Sequence, residues 1–102
     1  MLIILYDTDY DAESGCKTSQ LGKEYTGQMS RTISGKTCQR WDAQFPNSHT
    51  FTNPNWFPDS TLSEASNFCR NPADMAEGPF CITTDSSVHH EKCDIPFCPG
   101  GK

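Results

Sequence analysis

YTGQMSRTISGKTCQRW, residues 25–41, is the stretch on which the fold turns. Gly27 and Gly35 punctuate it as turn residues, and no helix of ordinary length fits between them. Its β-branched residues predict one short strand over residues 27–33. The segment then runs into Cys38 and closes on Trp41. The same punctuation continues on both sides. Prolines at 46, 54, 58, 72, 79, 96 and 99, with further glycines at 15, 22 and 78, interrupt every run long enough for a helix. One window, residues 59–67 (DSTLSEASN), is compatible with helix, and it is short and polar enough to give a single turn at best. A second strand is predicted over residues 80–84. Residues 44–60, rich in Asn, Ser and Pro and carrying four aromatics, read as an ordered loop.

The whole chain has 102 residues, of which 34% are hydrophobic. That is one small domain with little material for a core. Six cysteines, at positions 16, 38, 69, 81, 93 and 98, supply the alternative: a disulfide scaffold made in an oxidising compartment. Spacing alone leaves fifteen pairings open. Zinc usually brings close C-x2-C pairs, and the tightest pair here, Cys93 and Cys98, is wider than that. The longest apolar run, residues 2–5, is too short for a membrane span or the core of a signal peptide. The net charge is −5, and Asp7, Asp9, Asp11 and Glu13 carry most of it. No basic stripe is present, which argues against nucleic acid and anionic membrane surfaces as partners.

Residues 25–41 contain Y-x-G, S-x-T-x-S-G and C-Q-x-W in that order, and this resembles the opening of a kringle domain. FCRNP at residues 68–72, GPFCITT at 78–84 and CDIPFC at 93–98 are similar to later motifs of the same family. All six cysteines fall at kringle spacing. The resemblance therefore spans residues 16–98, with 1–15 an acidic N-terminal tail and 99–102 a C-terminal tail. It implies a small disulfide-rich fold, mostly loops with short antiparallel β-strands and three disulfides: Cys16–Cys98, Cys38–Cys81 and Cys69–Cys93. Trp41 and Leu62 are then core residues, and Gly27 and Gly35 turn positions with positive φ.

Many kringles hold a lysine side chain or C-terminal lysine of another protein. Paired carboxylates take the ammonium, an aromatic trough covers the methylenes, and cations hold the carboxylate. Carried onto this chain, the two carboxylate positions are Ala73 and Met75. The trough keeps Phe80, but its second wall is Ile82. The cation and aromatic before the fifth cysteine become His89 and His90, and the remaining cation position is Phe51. Asp74 and Glu77 are the anions left in that loop; they are candidates to substitute for the pair, while the plainer and favoured reading is that they keep the loop soluble. Without the carboxylate pair the desolvation of an ammonium is not offset, so lysine affinity should be poor.

His89 and His90 are adjacent. On an extended segment they are expected to point to opposite faces, which argues against one shared metal ion. His49 stands where kringles keep a structural histidine. Six cysteines committed to bridges leave no thiol nucleophile, and no cofactor and no enzyme activity are expected. Tyr6 and Tyr10 among carboxylates form a sulfation-like context or a plain acidic spacer. Trp56 and Phe57 are read as an exposed contact patch, with a core position the equal alternative for Phe57. The sequence thus predicts a non-catalytic extracellular protein-interaction module with a degenerate lysine site, its candidate binding residues being Asp74, Glu77, Phe80, His89, His90 and Trp56. His49-Thr-Phe and the CDIPFC ending look most like the kringles of ROR-type orphan receptor kinases, which suggests a receptor ectodomain or matrix protein. A kringle of the plasminogen or hepatocyte growth factor kind and a free-standing secreted defence protein or toxin are the alternatives.

Overall fold

The computed structural model describes residues 15–100. The acidic leader up to residue 14, with both its tyrosines, and the last two residues lie outside them. Three disulfides join first to sixth, second to fourth and third to fifth cysteine: Cys16–Cys98, Cys38–Cys81 and Cys69–Cys93. They close loops of 82, 43 and 24 residues. Chain entropy gives about 3.5–4.5 kcal/mol for each alone, and because the loops overlap these values do not add.

Regular structure is sparse. β1 (Phe80–Ile82) pairs antiparallel with β2 (His90–Lys92), placing Phe80 opposite Lys92, Cys81 opposite Glu91 and Ile82 opposite His90. All three residues of β1 are buried, whereas β2 is an exposed edge. A 3-10 turn occupies Pro54–Trp56, with the Asn53 side chain accepting from the Asn55 N–H. One helical turn, α1 (Leu62–Ala65), is capped by Thr61, whose hydroxyl accepts from the Glu64 N–H. This is the single turn expected within residues 59–67.

The inner disulfides meet at the middle of the molecule because the short sheet delivers them there. Cys81 lies on β1, Cys93 follows β2, and the neighbour of Cys69, Arg70, bridges to Phe80. The four sulfurs lie within 4.8 Å of one another. Trp41 fills the space beside them, fully buried. Its indole N–H donates to the Phe68 carbonyl at 2.7 Å. Its ring meets Phe57, Phe80 and Phe51 edge-on at 5.1, 5.7 and 6.1 Å. Leu62 packs half-buried against the same cluster. In a chain so poor in apolar residues, these rings and the cystine sulfurs are most of the core.

Arg70 is a buried cation within this framework. Its guanidinium holds the Asp59 carboxylate at 2.8 and 3.1 Å through Nε and Nη2. Nη1 donates to the carbonyls of Gly27 and Cys69, both at 2.8 Å. Tyr25 and Phe68 present their rings 5.5 and 5.6 Å away. One side chain thereby ties together three separate loops.

Two expectations are corrected. Residues 27–33 do not form a strand; the segment contributes one isolated bridge, Arg31 with Thr37. Its backbone groups are taken one at a time by different partners: Met29 C=O by Cys69, Ser30 C=O by Cys38, and Ile33 N–H by Lys92. No ladder can run along a segment shared out in this way. Gly35 sits in the turn at φ +90°, as expected, but Gly27 is not among the positive-φ glycines. Gly27 is buried, and its carbonyl receives Arg70. Gly78, at φ +101°, is the more constrained position, since a Cβ there would stand 2.9 Å from the Gln20 carbonyl.

Candidate functional site

The loop after FCRNP is shaped by Asn71. Its buried side chain donates to the carbonyls of Leu21 and Met75 and accepts from the Met75 N–H, which folds residues 71–75 into a clamp. Asp74 sits at the crest with φ +56° and reaches away to Lys23, Oδ1 to Nζ 2.6 Å. Both partners are exposed, so the pair is worth at most about 1 kcal/mol. Ala73 is exposed beside it, and Met75 is half-buried against the core. Glu77 lies exposed at the lip of a hollow of about 310 Å³ that it shares with Met75, Phe80, His90 and Lys92.

The residues at the trough positions are core. Phe80 is 1% and Ile82 0% exposed. Phe80 is sandwiched by Trp41, Phe51 and His90, so it backs the surface without offering a ring face for a ligand. Phe51 is half-buried on the same cluster and stacks at 5.9 Å on His49. His49 is itself held at both nitrogens, Nδ1 accepting from the Phe51 N–H and Nε2 lying 3.0 Å from the Ala43 carbonyl. Phe51, Phe80 and Ile82 are thus spent on packing.

A wider groove of about 610 Å³ opens on the other side of Phe51. Trp56, Phe57, Pro58, Pro72 and Ala73 form its apolar wall, and the Lys23–Asp74 pair stands at its edge. Trp56 is 46% exposed, whereas Phe57 is 7% exposed. Of the predicted aromatic patch, then, only Trp56 is surface. Lys23, Pro58 and Pro72 were not anticipated. Lys23 and Asp74 are 51 residues apart in sequence, and no local pattern announces their meeting.

His89 and His90 also depart from expectation. Their rings turn toward each other, with Nδ1 to Nδ1 at 3.0 Å, although the segment is extended. Two contacts account for it. His89 is drawn across to Ser48, whose carbonyl takes its Nε2–H at 2.7 Å. His90 is drawn onto the edge of Phe80, centroids 6.0 Å apart.

Carboxylates elsewhere on the surface lock turns. Asp85 is lowered to about 2, first by the Ser87 hydroxyl at 2.6 Å, then by the Ser87 N–H and by Lys36. Glu91 is lowered chiefly by the Ser34 hydroxyl at 2.6 Å. Asp42 is lowered by the two-pronged Arg40 guanidinium two residues away.

Two interleaved disulfides enclosed by a third, around a buried tryptophan and with short antiparallel strands, are the architecture that the resemblance over residues 16–98 implies. The family model for the kringle domain matches residues 16–98. The chain belongs to the kringle family. Kringles are in general non-catalytic protein-interaction modules, typically of extracellular proteins. This one keeps the family's disulfide core. No described cysteine is free. No described helix is long and apolar enough to cross a membrane.

Proposed function

We propose that this kringle is an extracellular interaction module that has lost the lysine clamp and meets a protein partner through the Trp56 groove. The observation that carries the reading is the loop at residues 73–75. Both carboxylate positions are apolar, and the one carboxylate between them, Asp74, is turned out to Lys23 at 2.6 Å. An ammonium brought to Phe80 meets no paired anion, and its lost hydration is not replaced. The Trp56 groove, by contrast, combines a half-exposed indole, two prolines and an ion pair at its rim. Large aromatics that are partly exposed in an apolar setting are the residues on which protein contacts tend to concentrate. A receptor ectodomain or matrix protein is the setting we favour for such a module.

The test is a titration with 6-aminohexanoic acid, followed by NMR shifts and tryptophan fluorescence. Binding no tighter than about millimolar is expected, and lysine-agarose should not retain the domain. Saturable micromolar binding that Asp74→Asn or Glu77→Gln abolishes would show that the loop has rebuilt a cation clamp, and the reading would fail.

A further inference from the structure

We propose that His89 and His90 form a two-imidazole chelate for a divalent transition cation, Cu2+ above the others. Their Nδ1 atoms lie 3.0 Å apart on an exposed surface. Metal–nitrogen bonds of about 2.0–2.1 Å that span this separation subtend about 94° at the ion. That is close to the right angle between neighbouring ligands in a square-planar or tetragonal site, the geometry of Cu2+ with nitrogen ligands. A tetrahedral ion needs the nitrogens wider, at about 3.3 Å.

The protonation pattern follows from the partners. The Ser48 carbonyl can only accept, so His89 carries its proton on Nε2 and offers the Nδ1 lone pair. A backbone carbonyl that takes the outer N–H of a histidine is the usual device for fixing the tautomer and orientation of a metal ligand. In the free protein His90 Nδ1–H donates to that lone pair. When the ion arrives, the His90 proton moves to Nε2 by exchange with water, and both Nδ1 lone pairs face the cation. The ion lies to one side of the N–N line, so the two rings turn toward it as the hydrogen bond between them is given up, with no net change in protonation. Water fills the remaining positions, since both rings are exposed. Glu77 and Glu91 line the hollow beside His90 together with Lys92, so the surroundings do not repel a cation. His49 is not a ligand, because both of its ring nitrogens already have backbone partners.

The experiment is calorimetric titration of the full chain, disulfides intact, with CuCl2 in a non-coordinating buffer, together with electron paramagnetic resonance of the loaded protein. A site lost in the His89→Gln/His90→Gln double variant is expected, with hyperfine coupling to two nitrogens. His89→Gln and His90→Gln each convert a chelate to a single ligand, and each should weaken that site on the order of 100-fold. Both side chains are exposed, and an unchanged amide NMR fingerprint certifies the variant folds. Coupling to one nitrogen only, or wild-type affinity in either single variant, overturns the proposal.

Discussion

Removing Asp59 tests whether a single ion pair holds the interaction loop to the disulfide core. The Arg70 side chain is 2% exposed and that of Asp59 10%. This places the pair with buried ion pairs, where breaking one partner costs about 3–5 kcal/mol, well above the roughly 0–1 kcal/mol of surface pairs. Asp59→Ala leaves the guanidinium buried with two carbonyls as acceptors, those of Gly27 and Cys69. That partial solvation puts its cost at the lower end, about 3 kcal/mol. Arg70→Met strands a carboxylate and also deprives both carbonyls of their donor, so it belongs at the upper end, about 5 kcal/mol. In the Asp59→Ala/Arg70→Met double variant no buried charge is left alone, and its cost should fall well below the sum of the single losses. Urea denaturation under non-reducing conditions measures all of these, without the salt that guanidinium chloride would bring. Asp59 is three residues beyond Trp56, so Asp59→Ala should also shift Trp56 fluorescence before global unfolding. A loss under about 1 kcal/mol for Asp59→Ala, with an additive double variant, would refute the reasoning.

Trp41→Ala should cost about 3–5 kcal/mol as a large cavity in the core, whereas Trp56→Ala should leave the urea midpoint nearly unchanged; equal losses would mean that Trp56 is packed and the groove is not a surface. Reduction of the three bridges should unfold the domain, because any one of them rivals the stability of a small domain; near-UV circular dichroism that survives dithiothreitol with six free thiols would contradict this. The Asp85 carboxyl, followed by NMR, should titrate with a midpoint of about 2. Its folded value lies below its unfolded one, so its contribution to stability is complete above about pH 4 and disappears as the pH falls through about 2. Ser87→Ala, which removes the largest cause, should bring that midpoint back toward about 4.

What the sequence made legible was the framework, and there is a physical reason. A cysteine count, a run of prolines and glycines and a few spaced motifs each restrict the chain locally, and three covalent bridges turn those restrictions into one topology. The single turn of α1 and the strand at Phe80–Ile82 were readable because interrupting prolines and glycines and β-branched or aromatic runs act over a few residues. The strand at residues 27–33 was misread because propensity says what a segment tolerates, not who its neighbours are. Thr32 and Ile33 favour extended backbone, but Cys69, Cys38 and Lys92 divide the segment's hydrogen bonds among themselves. The exposed edge His90–Lys92 went unseen for the complementary reason: its residues carry no strand signal, and it exists because β1 offers it a ladder.

The site was less legible. Which residue types stand at positions 51, 73, 75, 80 and 82 can be read by counting from the motifs. Which way those residues face depends on who claims the space beneath them. Phe51 is apolar and packs on Trp41; it meets Phe80 at 5.7 Å and helps to close over it. His90 rests on the edge of Phe80, and its ring meets that of His89 at 5.3 Å. Ser48, three residues before Phe51, supplies the carbonyl that anchors His89 from the other side. Phe51 packed on Trp41 and Phe80, His90 on the edge of Phe80 and His89 on the Ser48 carbonyl together accompany the meeting of the two imidazoles. Phe51→Arg is the change that tests this packing: it should raise the exposure of Phe80 and part the two Nδ1 atoms. If the histidine pair forms through Phe51, its loss should accompany any gain in affinity for 6-aminohexanoic acid.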